Sequence, residues 1–192
     1  FVSMLSHIKH TYIKVFFFDY GLIISYYIAI VLFAFRSFIS KNIKRIAYFS
    51  IGIILVFVIL KTHIDYNRLN ISIIDVGQGD SALVRYKGFS MLIDTGPVVD
   101  DYSALKRVVL PYILKNNVPS LDVLVLTHKH DDHIGDFEYL LKEMNVSLIV
   151  TSYDVYNENI IKLKGRNLLI VDNQTGYLYK DLKINFLPPV EG

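Results

Sequence analysis

Three histidines and two aspartates fall within six consecutive residues, His128-Lys129-His130-Asp131-Asp132-His133. Neutral imidazole nitrogen and carboxylate oxygen bind divalent metals, Zn²⁺ well and Mn²⁺ acceptably. Residues two apart in an extended segment project to one face, so His128 and His130 can grip one ion from the same side. Asp132 and His133, at a turn into a following helix, point elsewhere and can serve a second ion nearby. The chain contains 0 cysteines, which excludes thiolate zinc sites, thiol nucleophiles and disulfide frameworks. Asp131 is the weaker acid of the set and can turn outward as a cap or as a partner behind the ligands, while Lys129 faces solvent. A solvated loop without a ligand role is the plain alternative, and the spacing argues against it.

The elements that must position this cluster read as alternating strands and helices. Residues 70–76, 81–86 and 89–94 read as short strands, with Lys87-Gly88 as a tight turn, a β-meander. Leu105, Val108, Val109, Tyr112 and Ile113 recur at helical spacing, and Pro111 is expected to break or kink that helix. The run LDVLVLT at 121–127 is nearly all apolar, as in a strand buried on both faces. The histidine cluster therefore lies at the end of a core strand, where α/β folds place their chemistry. Ile134, Phe137, Leu140, Leu141 and Met144 form the apolar face of a following helix, and 146–151, 168–171 and 183–187 read as further strands. The pattern is that of an α/β layered domain.

Ahead of it lies a different physical regime. Residues 1–69 hold 8 Lys/Arg and 2 acids, whereas residues 70–192 hold 12 and 16. Residues 20–35 and 46–60 carry no charge. About 16 residues of helix span only ~24 Å of a ~30 Å hydrocarbon core, so each segment must draw on its flanks. Two transmembrane helices are thus expected, over about 15–35 and 43–60, the second with snorkelling Lys44 and Arg45. Asp19 reads either as a site inside the membrane or as a residue of the interface. Arg36, Lys41, Lys44 and Arg45 make the connector wholly basic, which keeps it in the cytoplasm and puts residues 70–192 outside. Two parts follow: a membrane segment, 1–69, and a polar domain, 70–192.

The string His-x-His-x-Asp-His behind a core strand resembles the signature of the metallo-β-lactamase fold. More narrowly, IIDVGQGDSALV (73–84), MLIDTG (91–96), VVLPYI (108–113) and LDVLVLTHKHDDHIG (121–135) resemble the extracytoplasmic domain of ComEC-type competence proteins, which carry DNA across the bacterial cytoplasmic membrane. The resemblance implies a partial αββα sandwich preceded by two transmembrane helices, in a multi-pass protein of the cytoplasmic (inner) membrane. It implies that His128 and His130 ligate one metal and Asp132 and His133 a second, with two Zn²⁺ or alternatively Mn²⁺ as cofactor. Asp94 would orient the site from behind the ligands. Asp75 and Asp80 bracket Gly77-Gln78-Gly79, a turn that lies at the rim of the site in the family and reads equally well as a plain strand-to-strand turn.

The implied activity is metal-assisted hydrolysis of phosphodiesters, with Asp132 also accepting a proton from the attacking water. The implied partners are DNA, single- or double-stranded, at the outer membrane face, the bilayer, and other proteins of the competence apparatus. The family normally adds a third histidine, a bridging aspartate and a final histidine downstream, and no histidine follows His133. The chain is thus read as the first part of the domain in a longer protein, its ligand set incomplete, inactive alone and exposing the inner faces of its strands. Two alternatives stand. One is a non-catalytic module that guides DNA, and the other a membrane-tethered metallo-hydrolase of a small ester, thioester or lactam. A net charge of −4 over residues 70–192 is not the footprint of a duplex-binding surface.

Overall fold

The computed structural model describes residues 20–35 and 40–188. Asp19, the start expected for the first helix and Arg36 of the basic connector lie outside the described residues. The chain divides into two compact units, 1–59 and 60–192.

In the first unit, α1 (Tyr20–Ala34) is an uncharged, mostly apolar helix of 15 residues, and α2 (Lys41–Asn67) begins there and runs on into the second unit. Only α2 is long and apolar enough to cross a membrane among the described residues; its 27 residues rise about 40 Å. It continues past the expected end at 60 because nothing from Lys61 to Asn67 breaks a helix. The hydroxyls of Ser25 and Ser50 donate to the carbonyls of Gly21 and Ile46, 2.7 and 2.9 Å away, which satisfies them without water.

The second unit is built on a six-stranded mixed sheet in the order β1-β2-β3-β6-β7-β8. β1 (Asn70–Ile73), β2 (Ala82–Tyr86) and β3 (Phe89–Ile93) form the antiparallel meander. Lys87 and Gly88 turn between β2 and β3 with φ +48° and +89°, the paired positive angles of a two-residue hairpin loop. β6 (Ser120–Leu126), β7 (Asn145–Thr151) and β8 (Leu168–Ile170) then add in parallel. A small hairpin, β4 (Val98–Val99) and β5 (Tyr102–Ser103), intervenes.

Pro111 does not break the helix it interrupts. Leu105–Val109 forms a wide π turn, and Pro111 falls in the first turn of α3 (Leu110–Lys115), where a missing amide hydrogen costs little. The helix expected from Ile134 to Met144 is instead two pieces, α4 (Asp131–Ile134) and α5 (Phe137–Glu143). They part at Gly135 and Asp136, the latter at φ +57°, yet all five apolar residues of the pattern are buried. Periodicity followed the burial and missed the break. α6 (Tyr153–Glu158) and α7 (Ile160–Leu163) complete the helical layer.

Alternation along the central strands separates two cores. Leu83, Leu92, Leu124 and Ile149 face the helices, packing with Leu105, Ile113, Phe137, Leu140 and Leu163. Their neighbours Val84, Met91, Val123 and Val150 face the other way, with Phe89. That second face is covered by a hairpin, β9 (Thr175–Tyr179) and β10 (Leu182–Phe186), through Tyr177, Tyr179, Leu182, Ile184 and Phe186. β9 has no counterpart in the sequence expectations. The expectation that the inner faces stand open is therefore corrected for the centre of the sheet, where Val123 and Val150 are buried, while edge residues Ile71 and Ile73 remain exposed. The whole is an α/β domain on a mixed sheet, as the resemblance implied.

Candidate metal centre

β3 and β6 are parallel neighbours, pairing Met91 with Val123 and Ile93 with Val125. Their carboxyl ends therefore release Asp94 and Thr127 side by side. Asp94 leaves its strand at φ +54°, a conformation aspartate tolerates better than most residues, and its amide still donates to the Val125 carbonyl at 2.9 Å. Its buried carboxylate accepts from the Thr127 amide at 2.9 Å and from the Thr127 hydroxyl at 2.6 Å. Burial pushes the Asp94 carboxyl above the ordinary range, and the two Thr127 hydrogen bonds and His133 pull it back in part. Sequence reasoning passed over Thr127, whose one signal is its place directly before His128.

His130 caps α4 with extended backbone (φ −72°, ψ 142°), its carbonyl accepting from the amides of His133 and Ile134 at 3.0 and 3.2 Å. The helical turn from Asp131 carries His133 back toward the strand ends. Its ring centroid lies 3.5 Å from that of His128, and the His130 centroid lies 5.2 Å from that of His128. His133 Nδ1 sits 3.3 Å from Asp94 Oδ2 and 3.6 Å from Asp80 Oδ2, and its Nε2 lies 3.6 Å from Asp132 Oδ2.

Two donor triads result: Asp94, His128 and His133, and His128, His130 and Asp132, with the donor atoms of each set within 4.8 Å of one another. The triads share His128 and cut across the division of His128 with His130 and Asp132 with His133 expected above. Imidazole and carboxylate donors at this closeness fit a divalent ion of the Zn²⁺ type. His128, His133, Asp94 and Asp80 line a cleft of about 340 Å³ together with Ile73, Ala82 and Ile93.

The remaining predicted residues lie around this centre. Asp75 belongs to neither triad and accepts from the Gly77 amide at 3.3 Å, closing its own turn. Asp131 is exposed at the start of α4 and lines a separate polar cleft of about 330 Å³ with Lys129, Asp136 and Glu158. Lys129 is exposed, as expected, and also pairs with Glu158 of α6 at 2.6 Å.

Backbone contacts hold the ligand turn to the end of β3. The amides of Thr95 and Gly96 both donate to the His133 carbonyl, at 2.7 and 3.1 Å, and the Thr95 hydroxyl donates to the Gly135 carbonyl at 2.8 Å. Gly135 has no room for a side chain. A Cβ there would lie 2.7 Å from Val98 N and 2.8 Å from the carbonyl oxygens of Asp131 and Gly96.

Comparison with known proteins agrees with this geometry. Residues 74–160 match the Metallo-beta-lactamase superfamily. ComE operon protein 3 of Bacillus subtilis (strain 168) is 34% identical over 93 residues, covering 42% of this chain and 12% of the relative. Recombination protein 2 of Haemophilus influenzae is 34% identical over 113 residues, covering 57% and 14%. Competence protein ComA of Neisseria gonorrhoeae is 33% identical over 90 residues, covering 47% and 12%. The matches thus span about an eighth of the length of these curated relatives. Residues 74–160, which contain both donor triads, thus match the metallo-beta-lactamase superfamily, and part of the chain is similar to competence proteins of the ComEC type.

Proposed function

We propose that the chain is part of a membrane DNA-uptake protein and that its polar unit, residues 70–192, hydrolyses phosphodiesters of incoming DNA in a metal-dependent way. The observation that carries this reading is the convergence of His128, His130, Asp132 and His133 with Asp94 at the carboxyl ends of β3 and β6, in a segment similar to three competence or recombination proteins. In this reading His128, His130, Asp132 and His133 are the protein's metal ligands, and Asp94 fixes the rings of His128 and His133 through Thr127 and its own carboxylate. Divalent ions, Zn²⁺ or Mn²⁺, supply activation of water and stabilise charge on the phosphoryl oxygens when bound. Asp132, half-exposed beside His133, accepts the proton of the attacking water. The sheet with helices on one face and the β9–β10 hairpin on the other is, in this reading, the first part of an αββα sandwich. Helices α1 and α2 anchor it in the cytoplasmic membrane with the polar unit outside, where it meets DNA, other competence proteins and the bilayer surface.

The test uses the full chain in detergent, with the longer protein from the same source in parallel. Both are assayed for bound zinc and for cleavage of end-labelled single- and double-stranded DNA, with and without Zn²⁺ or Mn²⁺. Metal-dependent cleavage by the longer protein, lost in His128→Ala, supports the reading. Cleavage that persists without metal overturns it. Metal-free protein that binds DNA without cutting it supports a DNA-guiding module. Turnover of a thioester or lactam in place of DNA supports a small-substrate hydrolase.

A further inference from the structure

The turn Gly77-Gln78-Gly79 contributes no donor atom to either triad, yet it packs on the ligand loop. Gly79 sits at φ +125°, and a Cβ built there would overlap the Asp132 carbonyl oxygen, with the carbonyl carbon 3.0 Å and Pro97 Cδ 3.1 Å away. The neighbours are backbone and a proline ring, so none can swing aside as a flexible side chain would. Gly77, two residues earlier, also has positive φ (+82°), but a Cβ there meets nothing within 4 Å. One glycine therefore serves the turn alone, and the other serves both the turn and a close approach. The adjoining Asp80 continues the contact, its Oδ2 3.6 Å from His133 Nδ1. In the same region, Gly135 makes a comparable approach to the Asp131 and Gly96 carbonyls. Two glycines thus let the backbone approach closely at Asp131 and Asp132.

We propose that Gly79 is a positioning residue for the metal centre. Its bare α-carbon sets how near the Asp132 backbone lies to the β1–β2 turn, and so the direction from which the Asp132 carboxylate meets His128 and His130. A methyl group at 79 pushes the Asp132 carbonyl away and turns that carboxylate out of the triad. The proposal rests on the metal-binding reading above, and the experiment separates the two.

Zinc affinity is measured by competition with a chromophoric chelator for the full chain in detergent, as wild type, Gly79→Ala and Gly77→Ala, with circular dichroism reporting the fold. Gly77→Ala is expected to stay within about 3-fold of wild type and Gly79→Ala to bind about 10–100-fold more weakly at an unchanged fold, the range found when groups supporting metal ligands are altered. Equal affinities for the two alanine variants overturn the proposal, because a purely structural role lowers stability without moving the affinity of folded protein. Should Gly79→Ala fail to fold, the unmodified chain is labelled with ¹⁵N-glycine and titrated with zinc. A shift of the Gly79 amide with Gly77 unmoved supports the proposal, and an unmoved Gly79 overturns it. A wild type that takes up no zinc defeats the metal-binding reading itself, a result distinct from either.

Discussion

Phe89→Ala tests whether the β9–β10 hairpin is a seated second layer of the domain. Phe89 is 1% exposed, and its ring centroid lies 5.0 Å from that of Tyr179 and 5.9 Å from that of Tyr177. Truncating a buried phenylalanine removes its transfer energy and leaves a cavity, together about 3–5 kcal/mol, and the two tilted ring contacts put this site toward the upper end. Domains hold only about 5–15 kcal/mol in total, so the loss is a third or more of the stability. With a urea dependence of about 2 kcal/mol per molar, the unfolding midpoint falls by about 2 M. The assay is urea unfolding of the full chain in detergent, followed by near-ultraviolet circular dichroism of the tyrosines, since the chain has 14 Tyr and 0 Trp. Leu178→Ala, on the outer side of the same hairpin at 70% exposed, is the control and should change stability by less than about 0.5 kcal/mol. A Phe89→Ala loss under about 1 kcal/mol, or one equal to that of Leu178→Ala, would show that the hairpin does not cover the sheet.

Three further outcomes are expected. His128→Ala abolishes zinc binding in equilibrium dialysis, whereas His130→Ala leaves the Asp94, His128 and His133 set intact and retains part of it; equal loss in both would refute the shared-ligand geometry. Thr127→Val removes the hydroxyl donor of a buried carboxylate, lowering stability by about 1–3 kcal/mol in thermal unfolding; an unchanged melting temperature would refute the Asp94–Thr127 lock. Asp181 is held at about 2, below its ordinary 3.8, by the Tyr86 hydroxyl and the Lys87 ammonium. A depressed carboxylate contributes stability above its unfolded value, and that contribution is lost as pH falls through the folded one. The difference between wild type and Asp181→Asn should therefore be constant above about pH 5 and vanish between 3.8 and about 2, and a difference that persists at the acid end of an unfolding series would refute the pairing.

The candidate ligand types, their loop and the strand before them were legible in the sequence because they are local. A hydrophobic run ending at Thr127 and three histidines in six residues need no partner to be recognised. The central strands were legible for the same reason, since alternation and turn glycines act within a few residues. What the sequence left open depended on contacts between distant segments. The helix broken at Gly135 obeys the carbonyls of Asp131 and Gly96 rather than its own periodicity. β9 carries weak strand patterning and is placed by Tyr177 and Tyr179 meeting Phe89, about ninety residues away in sequence. The grouping of the candidate ligands was likewise tertiary: spacing put His128 with His130, which the structure brings together with Asp132, and one turn of α4 also brought His133 onto His128 and Asp94. Sequence by itself determined which groups could hold a metal and near which strand, because residue type and periodicity are properties of the chain. The tertiary structure alone decided which of them come within reach of one another, because that follows from where parallel β3 and β6 end and how closely the backbone at Gly79 and Gly135 lets the histidine turn approach.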